Sequence, residues 1–146
     1  MYISKIMFLL LNIVCCALLF FCNKYAVANT EDYVPKTCAD MQDEESRMIC
    51  ELARKFGAPF YQTGVVFFVA GIEVSGRVCN FKFTEKFNTA RMKARNSKNM
   101  IQVYDFIVAN SSENFPNKKA WCQKSYSMFG PNAPRGPNGG DNRMYR

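Results

Sequence analysis

The chain has no histidine in 146 residues. That absence removes Ser-His-Asp and Cys-His catalysis in their usual form, together with histidine metal sites. No C-x-x-C pair occurs either, which argues against a Cys₄ zinc site, and without histidine there is no base to activate a thiol. Acids are scarce beyond residue 51: residues 52–146 carry five against fifteen Lys and Arg. The acids that cluster, Asp43, Glu44 and Glu45, are consecutive and read as one solvated helix turn, not as carboxylates facing each other across a cleft. No enzyme activity, cofactor or metal is expected.

What is present begins with an export signal. Met1-Tyr-Ile-Ser-Lys5 carries one positive charge, and an apolar run from Ile6 to Cys22 follows, broken only by Asn12. Ala26-Val27-Ala28 then supplies the small residues that signal peptidase needs one and three positions before its cut. The expected signal peptide is 1–28. The run of 17 residues sits at the short edge of what spans a bilayer, so an uncleaved anchor is the competing reading. Contact with membrane is expected only during export.

Removal of 1–28 discards Cys15, Cys16 and Cys22 and leaves Cys38, Cys50, Cys79 and Cys122. An even count in a short exported chain reads as two disulfides in an oxidising compartment, periplasmic or extracellular. The charge of the remainder is uneven. Residues 31–51 hold seven acids and two bases, whereas the basic excess lies entirely beyond them. Such a layout suggests that the two parts face each other or face different partners.

Along the chain, 29–36 reads as a flexible lead-in, 37–129 as one domain and 130–146 as a disordered basic tail rich in Gly, Pro and Asn. Thr37-Cys-Ala-Asp40 has capping-box spacing, and apolar residues recur at helical spacing from Met41 to Phe56 before Gly57 and Pro59, which predicts a helix over 38–56. Gly64 to Phe83 reads as β: Val65-Val-Phe-Phe-Val69 is rich in branched and aromatic residues, a turn is placed at Gly71 or Gly76, and Cys79, Phe81 and Phe83 alternate with polar neighbours. Met100–Ala109 reads as a strand. Residues 84–99 fit a helix or a loop, and 118–129 fit a strand or a helix. The fold expected is α+β: one long N-terminal amphipathic helix on a small antiparallel β-sheet, stapled by two disulfides.

A helix over 38–56 sets Cys38 and Cys50 about 18 Å apart, beyond the reach of a disulfide. The pairings left are Cys50–Cys79 with Cys38–Cys122, which is favoured, or Cys38–Cys79 with Cys50–Cys122.

The candidate partner-binding residues are Lys82, Lys86, Arg91, Lys93, Arg95 and Lys98, opposed in that stretch only by Glu85. They suit an acidic protein or another anionic surface. Few aromatics interleave with them, so nucleic acid is not the expected partner. The aromatics from Phe60 to Phe106 read as core, and the Arg-containing tail as a segment that could order on binding.

Val69-Ala-Gly-Ile-Glu-Val-Ser-Gly-Arg-Val-Cys79 and Lys119-Ala-Trp-Cys122 resemble stretches of the cystatins, inhibitors of papain-like proteases. The resemblance covers about fifteen residues. That family's Q-x-V-x-G wedge has no counterpart, because Gln62-Thr-Gly-Val-Val66 departs from it. The resemblance implies a hydrolase inhibitor as the alternative to the leading expectation, an exported effector-type binding protein. A third alternative is a periplasmic protein of unrecognised enzymatic type, in which carboxylates, Tyr or Lys would do the acid–base work.

Overall fold

The computed structural model describes residues 33–111, 117–136 and 139–146. The expected signal peptide, and the lead-in up to residue 32, lie outside them. Five helices are formed among the described residues: α1 (Glu44–Phe56), α2 (Phe60–Val78), α3 (Glu85–Ala94), α4 (Lys98–Asn110) and α5 (Lys118–Phe129). Among the described residues there is no strand, only an isolated antiparallel bridge between Phe83 and Tyr145. The expected α+β class is therefore corrected to an all-helical one.

The correction has a physical source in α2. Valines and aromatics favour strands on propensity, but propensity yields to burial. Phe60–Val78 runs nineteen residues, far beyond an ordinary strand, and a helix that is apolar all round belongs at the centre of a core. That is where α2 lies, packed against all four other helices and most extensively against α4. The glycines read as turns are helical. Gly76 lets the ring of Phe83 lie directly on the α2 backbone, where any Cβ would collide with it. Met100–Ala109 is also helical: Met100, Val103, Tyr104 and Ile107, spaced as on one helix face, are its buried residues.

Helix α1 starts six residues later than expected. Asp43, not Thr37, is its N-cap and accepts from the Ser46 amide at 2.7 Å. Gly57, at φ 60°, closes it in the left-handed conformation. The residues before Asp43 form a turn instead, with the Met41 amide donating to the Cys38 carbonyl at 3.3 Å. That turn brings Cys38 back over α1, so Cys38 and Cys50 form a disulfide with Cα atoms 5.8 Å apart. Cys79 pairs with Cys122. Both pairings retained from the sequence are thus overturned: the first bridge ties α1 to its own lead-in, and only the second joins distant elements.

The flanks are docked. In the lead-in, the Tyr33 carbonyl accepts from the Phe60 amide at 2.8 Å and Pro35 is buried. At the other end, Tyr145 is only 1% exposed. Its hydroxyl donates to the Ile72 carbonyl at 2.9 Å and lies 3.2 Å from Ser125 Oγ, while its ring packs against Phe81 with centroids 4.8 Å apart. Pro and Gly content made 130–146 read as disordered, but one aromatic side chain anchors the end of that segment in the core.

Candidate functional site

The α2 helix buries one acid, Glu73, whose side chain is 3% exposed. A buried carboxylate is costly unless it is paired and hydrogen-bonded. Glu73 has three partners on three helices. Arg77, one turn along α2, donates to Oε1. The Tyr104 hydroxyl of α4 donates to Oε2. Arg91 of α3 places Nη1 3.8 Å from the same oxygen. Burial, together with the hydrogen bond to Glu73, raises the Tyr104 phenol well above its ordinary range, so Tyr104 serves as a donor and not as a base.

A second pair sits beside the first. Arg95, at the end of α3, is clamped to Asp105 of α4 and lies over the Tyr104 ring at 5.1 Å. Both arrangements line a cleft of about 530 Å³. Arg77, Arg91 and Arg95 bring three guanidinium groups to it, against the carboxylates of Glu73 and Asp105, and Met92 and Val108 supply apolar wall. A part-buried site with one positive charge in excess attracts anions more strongly than an open surface does.

Of the six basic residues singled out in the sequence, the cleft takes two, Arg91 and Arg95. Lys86 reaches Asp141 at 3.5 Å. Lys82, Lys93 and Lys98 are exposed and lie away from the cleft lining. Sequence reading missed Glu73, Arg77, Tyr104 and Asp105. The usable signal was the Glu73–Arg77 spacing of four, which pairs side chains only on a helix. Reading that segment as β hid it.

The segments that resemble cystatin stretches lie in and just after α2 and within α5. The antiparallel sheet expected from the sequence pattern is not formed among the described residues. No protein family, curated protein or solved structure matches the chain. The two disulfides fit a non-reducing environment, and among the described residues no helix is long and apolar enough to cross a membrane.

Proposed function

We propose that the chain is an exported, disulfide-stabilised binding protein that recognises an anionic partner through the Glu73 cleft, without catalysing a reaction. An effector-type role toward a protein or another anionic surface belongs to the same reading. The signal-like order of residues 1–28 and the pairing of all four later cysteines support export.

One observation carries the binding assignment. Arg91 stands at the cleft with its side chain 41% exposed, and among the described residues its only ion pair is the 3.8 Å approach to Glu73. Among the described residues its side chain makes no hydrogen bond, so a guanidinium fork is left for an incoming acceptor.

NMR titration with acetate, sulfate and phosphate tests the reading. Expected are saturable shifts confined to Arg77, Arg91, Arg95, Tyr104 and their neighbours, and lost in Arg91→Gln. Shifts that rise linearly and spread over every exposed lysine would overturn it.

A further inference from the structure

We infer that the ligand of the Glu73 cleft is an organic monocarboxylate, one carboxylate head on an apolar body. The inference rests on the anion-binding reading above and goes further by naming the chemistry of the anion.

The head group follows from which donors are committed. Arg77 is tied to Glu73, and Arg95 to Asp105. Of the three, Arg91 alone makes no side-chain hydrogen bond among the described residues; it only approaches Glu73 at 3.8 Å, so its planar fork keeps its donors, and such a fork matches the two oxygens of one carboxylate. Charge points the same way. Three guanidinium groups against two carboxylates leave room for one negative charge. A phosphate dianion would press its second charge toward Glu73 or Asp105, where like charges repel.

The body follows from the walls. Met92 is 66% exposed, a large apolar side chain left in water on the same helix as Arg91, and it lines the cleft together with Val108. An unbranched thioether adapts to apolar ligands of varied outline. A bare acetate would leave most of the 530 Å³ unfilled, whereas pockets of this size enclose small organic molecules. A carboxylate on an apolar body can be a free organic acid or the free end of a peptide with an apolar last residue. Both present the same head and flank.

The test is calorimetric titration of the full disulfide-bonded protein with acetate, octanoate, acetyl-Gly-Leu, its C-terminal amide and inorganic phosphate. Octanoate or acetyl-Gly-Leu is expected to bind at least tenfold more tightly than acetate, and the tighter of the two identifies the source. The amide is expected not to bind. Arg91→Gln should weaken the tighter ligand about tenfold, the worth of one charged hydrogen bond. Met92→Ser should weaken it about threefold while leaving acetate unchanged. Both side chains are substantially exposed, so both variants keep the fold, as their melting curves would verify. Phosphate saturating the cleft below the concentration of either carboxylate would overturn the inference but keep the anion site, and so would a Met92→Ser variant that binds octanoate unchanged. Saturation by none of these anions would overturn both.

Discussion

The Tyr104 hydroxyl donates its hydrogen bond to Glu73, a residue of another helix, in the most buried polar contact of the molecule's basic cleft. The pair joins α2 to α4, the two helices with the most extensive mutual packing. Tyr104→Phe leaves Glu73 Oε2 without that donor and is expected to cost about 1–3 kcal/mol, read from urea denaturation. Glu73→Ala leaves the buried Tyr104 hydroxyl without its acceptor and removes the partner of Arg77, and is expected to cost about 2–4 kcal/mol, less than a fully buried ion pair because Arg77 is largely exposed. Equal losses for the two variants would mean that the arginines contribute nothing through Glu73.

The two glycines of α2 that can be compared should respond in opposite directions. A methyl group at Gly64 meets only Ile49, at 3.9 Å, so Gly64→Ala is expected to stabilise the helix by about 0.5–1 kcal/mol. At Gly76 the same methyl collides with the Phe83 ring, and Gly76→Ala is expected to cost about 1–3 kcal/mol. Thermal melts of the two variants decide it.

Disulfide mapping under non-reducing conditions should return one peptide pair carrying Cys38–Cys50 and another carrying Cys79–Cys122. The loops closed differ, with sequence separations of 12 and 43. On chain entropy alone the bridges contribute about 3 and about 4 kcal/mol. Replacing Cys79 and Cys122 by Ser is therefore expected to lower the melting temperature more than replacing Cys38 and Cys50.

Stability should fall between mildly acidic and neutral pH. Burial, and after it the Asp43 charge, pushes Glu45 from its ordinary 4.5 up to about 7. The folded chain thus holds this proton at pH values where the unfolded chain has released it. Below about 4.5 both states are protonated and nothing is lost. Stability then declines as pH rises through the window and levels off above about 7. Urea midpoints at pH 4.5 and 7.5 should show the drop, and Glu45→Gln should flatten that part of the profile.

Legibility in the sequence followed periodicity more than propensity. The α1 pattern was clear because acids at its start, bases at its end and Gly57 all agree with the helix dipole and cap. Its start was misplaced because Thr37-Cys-Ala-Asp40 has capping-box spacing whereas the cap used is Asp43, and that six-residue difference alone reversed the disulfide pairing. In α4 the spacing Met100, Val103, Tyr104, Ile107 was readable as helical, yet the surrounding β-formers outweighed it. In α2 the apolar residues show little period, because a central helix is buried on most sides, and only the Glu73–Arg77 spacing spoke for a helix. The site was half legible for the same reason. Arg91 and Arg95 lie in an obvious basic stretch, but Glu73 and Tyr104 acquire meaning only when two helices cross.

Tyr145 also bears on the order in which the molecule assembles. Each helix can begin from neighbouring residues, but the slot among Gly76, Phe83 and Phe129 closes only when a side chain 73 positions beyond Ile72 arrives. A nascent chain that stops short of residue 145 keeps that slot open to water. Sealing is thus a late, long-range event in an otherwise locally built bundle, and the helices stay pliable until residue 145 has been made and has docked.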